Sequence, residues 1–226
     1  ETFVFQNVLI ECRYNVIARL LRANPFYSIP KDQRSDNKLV LTLDAFGDNV
    51  NYSARIFKNS KCNVEEKLLC SGNDFIIGRL YRYITLILGL KPNEHEYKVM
   101  GLAPYCKPQY YEKLLEKFIS IQDVSGISFK YLNKPQDMYF AIKDLLDGER
   151  FDTISGGLQA YTEYLITKWI RNLVQKTGID DITIAGGVAM NVKANMLISN
   201  KKYVKNLFIP ACPDDSSQSI GAVYTY

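Results

Sequence analysis

The chain has 226 residues, of which 47% are apolar, so it can form one large domain or two small lobes with a packed core. Its net charge of +4 is scattered rather than gathered into a stripe, which argues against nucleic-acid binding. No apolar run approaches the roughly 20 residues that span a bilayer, and the N-terminus lacks a basic leader. We therefore expect a cytoplasmic protein without membrane or nucleic-acid partners.

A helix and a hairpin are predicted at the start of the chain. The run ECRYNVIARLLRAN, residues 11–24, has apolar residues at helical spacing and is followed by prolines. After a polar linker, KLVLTLDAFGDNVNYSARIFKN, residues 38–59, consists of two strand-like runs joined by a glycine-containing turn. The section from about 78 to 150 is predicted to be mostly helical, because GRLYRYITLILGL, PQYYEKLLEKFISI and MYFAIKDLLDG have helical periodicity.

The last third of the chain is predicted to be a long helix followed by a βαβ unit. The helix should end at Gly178, and Trp169 should be structural because it lies in an apolar stripe at helical spacing. The strand DITIAGG, the short helix AMNVKANMLISN and the strand VKNLFIPA follow, and then the polar loop CPDDSSQSIGA. In α/β sheets, ligands bind at the carboxyl ends of such strands.

Three loops supply the candidate ligand-binding residues. A glycine pair alone is more often a tight turn than a ligand contact, so the hypothesis depends on the combination. Together the loops offer close backbone approach, amide donors and carboxylates, as a nucleotide phosphate with a metal ion requires. We expect the strand ends to surround one pocket. The candidates are Asp44, Gly47, Gly186, Gly187, Asn191, Asp215 and Gly221.

Four blocks in chain order, LTLDAFGD, HEYKVMGLAPY, AGGVAMNVKANMLI and PACPDDSSQSIGAVY, resemble the signature blocks of the nodulation-protein-U/cephamycin O-carbamoyltransferase family. The resemblance implies an α/β fold of the ASKHA class, the actin-like and RNase H-like architecture, similar to the tRNA threonylcarbamoyl-transfer subunit. It also implies that residues 1–38 are the remnant of an incomplete first lobe. Residues 39–226 would then be the second lobe, with a helical insertion at about 60–150.

The same resemblance implies transfer of a carbamoyl group from carbamoyl-adenylate to a hydroxyl of a small molecule. The hairpin turn and the Gly-Gly loop would hold the adenylate or ATP. Asp215 would bind a divalent metal, Fe²⁺ in the family, with Asp44 as a second ligand, and both would be catalytic. The family also has a carbamoyl-adenylate synthase domain, so we expect such a domain or a partner to supply the intermediate.

The EYKVMGLAPY block is expected to line the nucleotide cleft. By the resemblance, Lys98 would contact a phosphate or the ribose, and Gly101 would be a packing glycine. His95 is the only histidine of the chain and lies outside the block. We expect it to be a solvent-facing loop residue rather than a base or a metal ligand.

The chain departs from the family pattern at several positions. The family carries two histidines one helical turn apart upstream of the hairpin, where this chain has Cys12 and Val16. Glycines of the pattern are replaced by Ala45, Cys106 and Ser217. Each replacement is expected to add a side chain where backbone would approach the ligand.

These departures leave three functions open. The first is a carbamoyltransferase whose remaining carboxylates bind the metal. The second is a catalytically degenerate domain that binds a nucleotide or a partner protein without transfer. The third is a kinase or ATPase that uses Mg²⁺, for which oxygen ligands alone would be enough. The metal is therefore expected to be a hard ion such as Mg²⁺, or absent.

Overall fold

The computed structural model describes residues 37–45, 50–59 and 64–214. Several predictions fall outside these residues: the N-terminal helix and the roles of Cys12, Val16, Gly47, Asp215, Ser217 and Gly221. The described residues form seven strands and six α-helices, which confirms the predicted α/β class.

A five-stranded mixed sheet forms the centre of the fold. Its order is β3-β2-β1-β6-β7. Strand β2 pairs antiparallel with both β1 and β3, and strand β6 pairs parallel with both β1 and β7. Because β1 and β6 run in the same direction, their carboxyl ends lie at one edge of the sheet. The predicted hairpin and βαβ unit are both confirmed. The strands are β1 Asn37–Leu43, β2 Tyr52–Asn59, β3 Val64–Gly72, β6 Asp181–Ala185 and β7 Asn206–Phe208.

The helices follow the predicted order. The long helix α5 ends at Gly178, which has φ +70° and serves as the left-handed cap predicted from the sequence. The helices are α1 Ile77–Ile87, α2 Glu96–Leu102, α3 Pro108–Ile121, α4 Met138–Leu145, α5 Phe151–Thr177 and α6 Val192–Ser199. A small hairpin of β4 Gln122–Ser125 and β5 Ser128–Tyr131 lies between α3 and α4.

The strands β3 and β4–β5 were not predicted from the sequence. β3 lies within the region proposed as a helical insertion, yet it pairs with β2 along the edge of the main sheet. Its register passes from Ala54–Cys70 to Arg55–Leu68, so Leu69 is the extra residue of a β-bulge. The bulge breaks the alternation of apolar and polar residues by which an edge strand is recognised.

The core packs between the main sheet and the helices. Trp169 of α5 is fully buried, and its indole Nε1 donates to the carbonyl oxygen of Ile127 at 2.7 Å. Its ring lies 5.1 Å from the ring of Phe129 and 5.9 Å from that of Tyr52, at distances typical of aromatic pairs. The predicted structural role of Trp169 is confirmed. None of the helices in the described ranges is long and apolar enough to cross a membrane.

Candidate functional site

A cavity of about 490 Å³ opens where β1 and β6 end, and its volume is in the range of small-molecule sites. Its lining comes from the turn after β1, the start of α1, the loop before α2, α2 itself and the loop after β6. Asp44, Gly187 and Asn191 line this one cavity, as the sequence predicts. Asp214 also lines it, although the sequence motif pointed to the neighbouring Asp215 instead.

The side of the cavity at the ends of β1 and β6, called the strand-end side, is formed by closely packed backbone segments. Gly186 has φ +102°, and a Cβ atom there would lie 2.1 Å from the carbonyl oxygen of Leu43. Its amide donates to the carbonyl oxygen of Pro213 at 2.7 Å, so the end of β6 meets the segment after β7. Glycine is therefore required at this position for two reasons, the positive φ and the contact with β1.

Asp44 follows β1 directly and faces the Gly-Gly loop. Its Oδ1 accepts a hydrogen bond from the amide of Ala45 at 2.7 Å. A Cβ atom at Gly187 would lie 3.4 Å from the same oxygen. The amide of Asp44 also donates to the carbonyl oxygen of Asn51 at 2.9 Å, which holds the two ends of the hairpin turn together. The carboxylate is thus held in a fixed orientation beside the backbone of the Gly-Gly loop.

Two of the carboxylates that line the cavity are of the type that binds hard divalent ions. Asp44 and Asp214 both line the cavity and offer the oxygen ligands that Mg²⁺ prefers. The single histidine, His95, does not line the cavity, and its Nδ1 accepts a hydrogen bond from the amide of Lys91 at 3.1 Å. His95 is a loop residue as expected, although it is half-buried. Within the described segments, no cluster of three or more His, Cys, Asp or Glu residues could hold a metal.

The side-chain amide of Asn191 is fully used by hydrogen bonds within the protein, and its predicted contact with a ligand stays a prediction. Its amide nitrogen donates to the hydroxyl of Tyr81 at 3.1 Å and to Oε1 of Gln159 at 2.9 Å. Its Oδ1 accepts from the backbone amide of Ala194 at 3.0 Å and from Nε2 of Gln159 at 3.0 Å. Asn191 therefore caps α6 and ties it to α1 and α5 along the cavity wall.

Tyr81 and Gln159 complete this buried network. The hydroxyl of Tyr81 donates to Oε1 of Gln159 at 2.7 Å, and Nε2 of Gln159 also donates to Glu163 at 2.8 Å. Burial raises the pKa of the Tyr81 hydroxyl far above its ordinary value, so it remains a neutral donor. Neither residue could be predicted from the sequence, because nothing in their spacing distinguishes them from other helical side chains.

Two replaced glycines of the family pattern are accommodated by glycines on neighbouring helices. A Cβ atom at Gly78 would lie 2.6 Å from the Cβ of Ala45, and one at Gly156 would lie 2.9 Å from the Cβ of Cys106. Cys106 is buried against α5 and does not line the cavity, so the expectation that it fills ligand space is wrong. The methyl group of Ala45 packs against Gly78 at the edge of the cavity.

The EYKVMGLAPY block lines the cavity with Glu96, Tyr97 and Met100. Lys98 is not part of the lining, and its Nζ lies 5.8 Å from the ring centre of Tyr97. Its contact with a phosphate or ribose stays a prediction. Gly101 is exposed, and a Cβ atom there would have no neighbour within 4 Å. The prediction that Gly101 is a packing glycine is therefore wrong.

Comparison with known families and proteins adds to this geometry. Residues 22–224 match the family model described as Carbamoyltransferase N-terminus. The uncharacterized protein MJ1051 of Methanocaldococcus jannaschii is 34% identical over 194 residues, which cover 81% of this chain and 36% of that protein.

Two nodulation proteins are also similar. Nodulation protein NolNO of Sinorhizobium fredii is 28% identical, covering 83% of this chain and 28% of that protein. Nodulation protein NolO of Bradyrhizobium diazoefficiens is 27% identical, covering 83% of this chain and 34% of that protein. The chain thus spans about a quarter to a third of the length of the curated relatives it matches.

Among solved structures, the chain is similar to component A of (R)-2-hydroxyglutaryl-CoA dehydratase from Acidaminococcus fermentans. The TM-score is 0.46 at 13% identity, over 95% of this chain and 66% of that one. The activator of 2-hydroxyisocaproyl-CoA dehydratase from Clostridium difficile, with bound ADPNP, gives a TM-score of 0.48 at 13% identity. That match covers 96% of this chain and 65% of that one.

Proposed function

This chain belongs to the carbamoyltransferase N-terminus family, and we propose that it transfers a carbamoyl group from carbamoyl-adenylate to a hydroxyl of a small molecule. One observation carries the proposal. The cavity at the carboxyl ends of β1 and β6 brings the carboxylate of Asp44 against the Gly-Gly loop that the family resemblance assigns to the adenylate. This is the edge of an α/β sheet at which ligands bind.

The Gly-Gly loop and Asp44 have different roles in the reaction. Gly186 lets the end of β6 pack against β1, because a Cβ atom there would overlap the carbonyl oxygen of Leu43. Gly187 lines the cavity without a side chain, so the adenylate can approach its backbone. Asp44 orients the acceptor hydroxyl and removes its proton as the oxygen attacks the carbamoyl carbon. AMP leaves with the bonding electrons of the mixed anhydride. The fixed hydrogen bond from Ala45 keeps the carboxylate oriented for this step.

Two carboxylates of the cavity are candidate ligands for a divalent ion. Asp44 and Asp214 would hold it, and when bound it would polarise the carbamoyl carbonyl as a Lewis acid. In the family the ion is Fe²⁺, whereas these two carboxylates favour Mg²⁺. The adenylate itself would be supplied by a carbamoyl-adenylate synthase domain or partner.

A second candidate is a domain that binds nucleotide or a partner protein without transfer. The saturated amide of Asn191 favours it, because one of the polar groups assigned to the ligand has no hydrogen left to donate. The packing of Ala45 and Cys106 against helix glycines favours transfer instead, because neither replacement closes the cavity.

A direct transfer assay distinguishes these functions. The protein is mixed with chemically prepared carbamoyl-adenylate and a panel of hydroxyl compounds, and carbamoylated products are detected by mass spectrometry. The Asp44→Asn variant should lower the transfer rate about 100-fold or more, as loss of a general base does. The matched control is Asp147→Asn, at an exposed carboxylate outside the cavity, which should leave the rate unchanged.

Calorimetric titration with ATP tests the alternative functions. It is carried out in the presence of a chelator, of Mg²⁺ or of Fe²⁺. Tight ATP binding without metal dependence and without transfer to any acceptor would favour the binding domain. Strictly Mg²⁺-dependent phosphorylation of an acceptor would favour a kinase. Binding of AMP accompanied by carbamoylated product supports the transferase.

A further inference from the structure

Arg82 lies on the helix side of the cavity, and no motif of the sequence points to it. It follows Gly78 by four residues on α1, so the two residues share one face of the helix. Gly78 contacts the turn that carries Asp44, and Arg82 stands one turn further along the cavity. Leu80 and Ile84, on the opposite face, are buried in the core, whereas Arg82 is exposed to the cavity.

The other charged residues that line the cavity are acidic, and each already has a partner. Glu94 pairs with Lys91 at 2.5 Å, and Glu96 accepts from the amide of Asn93 at 2.6 Å. Asp44 accepts from the amide of Ala45. Asp214, the fourth, also has an interaction partner. Glu94, Glu96 and Asp44 are therefore bound within their own segments rather than by the arginine.

Among the residues that the structure describes, Arg82 makes no hydrogen bond, ion pair or ring contact. Its neighbour on the helix, Arg79, instead donates to the carbonyl oxygen of Asn73 at 3.0 Å. Arg82 is also the one cation of the described cavity lining. If Arg82 only balanced the negative charge of the cavity carboxylates, we would expect it to form an ion pair with one of them.

Guanidinium chemistry defines the ligand group that Arg82 fits. Its planar fork of donors matches the paired oxygens of a phosphate or a carboxylate, and it stays charged at any physiological pH. We propose that Arg82 binds an oxyanion of the ligand and thereby fixes the ligand along the helix side of the cavity. This inference rests on the proposed function and deepens it. The oxyanion has two possible sources, the nucleotide phosphate and an acid group on the hydroxyl acceptor.

The test compares wild type with Arg82→Gln, Arg82→Lys and Arg171→Gln, the last an exposed arginine of α5 outside the cavity. Binding of AMP, adenosine and inorganic phosphate is measured by calorimetry at low salt, and thermal unfolding verifies that each variant is folded. If the source is the nucleotide, Arg82→Gln should weaken AMP about tenfold and leave adenosine unchanged. Arg82→Lys should retain part of the affinity, and Arg171→Gln should match wild type.

A second arm addresses the acceptor. Carbamoyl transfer to hydroxy acids is compared with transfer to the corresponding hydroxy amides. If the source is the acceptor, Arg82→Gln should raise the KM of the acids about tenfold without changing that of the amides. Unchanged AMP affinity together with unchanged KM values would overturn the proposal.

Failure of the proposed function is distinguishable from failure of this inference. If wild type binds neither AMP nor adenosine, the proposal of a nucleotide site is wrong. The binding of inorganic phosphate then tests the role of Arg82 by itself. Phosphate binding that disappears in Arg82→Gln supports the arginine site. Phosphate binding that is absent from wild type, or unaffected by the substitution, contradicts it.

Discussion

The two sides of the cavity are built in different ways. On the strand-end side, Gly186 packs so closely against β1 that a Cβ atom would lie 2.1 Å from the carbonyl oxygen of Leu43, and the adjacent Gly187 contacts Asp44. On the helix side, Arg82 and Tyr97 project exposed side chains from α1 and α2, and Tyr97 is 61% exposed. The comparison indicates that the strand-end side depends on backbone geometry, whereas the helix side depends on side-chain chemistry that can change without unfolding the protein.

Gly186→Ala should have the largest effect on stability. The new Cβ would overlap the carbonyl oxygen of Leu43 at a positive φ, so we expect a loss of about 3 kcal/mol or more in the free energy of unfolding, measured with urea. Gly101→Ala is the matched control, because its Cβ would meet nothing. It should be neutral or stabilise α2 by up to about 1 kcal/mol. Equal stability of the two variants would remove the distinction between the two sides.

Gln159→Leu should have the next largest effect. It leaves the Tyr81 hydroxyl and the Asn191 amide buried without their shared partner, so we expect a loss of about 2 to 3 kcal/mol in the free energy of unfolding. Gln175→Leu, at an exposed glutamine of the same helix, should change it by less than about 0.5 kcal/mol. A small effect of Gln159→Leu would mean that the network does not support the cavity.

Tyr97→Ser tests the helix side. We expect a change of less than about 0.5 kcal/mol in the free energy of unfolding, because the ring is exposed. Affinity for AMP should fall by a factor of about 5 to 10, because the ring supplies apolar contact area to any ligand in the cavity. Calorimetry and thermal unfolding on the same sample separate the two effects. A variant that lost stability but kept its affinity would reverse the assignment of this side.

Ala45→Gly should have the smallest effect on binding. The methyl group packs against Gly78, and glycine gives the unfolded chain more conformational freedom than alanine does. The substitution should therefore lower the free energy of unfolding by about 0.5 to 1 kcal/mol. The affinity for AMP should stay within about twofold of wild type, below the effect of one hydrogen bond. A marked gain in affinity would show instead that the alanine obstructs the ligand.

Much of the strand-end side could be predicted from the sequence. A glycine pair directly after a buried strand, and an aspartate at the end of the preceding hairpin strand, are local signals. The carbamoyltransferase family could be predicted because its motifs are these same local segments, and the ASKHA fold that it implies agrees with the observed mixed sheet.

Other features of the site depend on contacts between residues that are distant in the sequence. Asn191 looks like a ligand contact in its motif, but its amide is saturated by Tyr81 and Gln159, which lie 110 and 32 positions away in the sequence. Arg82 has no motif, and only the packing of α1 on the turn after β1 brings it into the cavity. The strand β3 was missed because its bulge interrupts the alternation of side chains.

Titration of AMP into the ¹⁵N-labelled protein tests most directly whether the two sides form one nucleotide site. The amide resonances of Gly186 and Gly187 on the strand-end side and of Tyr97 on the helix side should shift together and give one dissociation constant. The amide of Gly126, in the turn between β4 and β5, should stay unchanged. Shifts on one side only, or shifts at Gly126 without shifts at the Gly-Gly loop, would contradict the account.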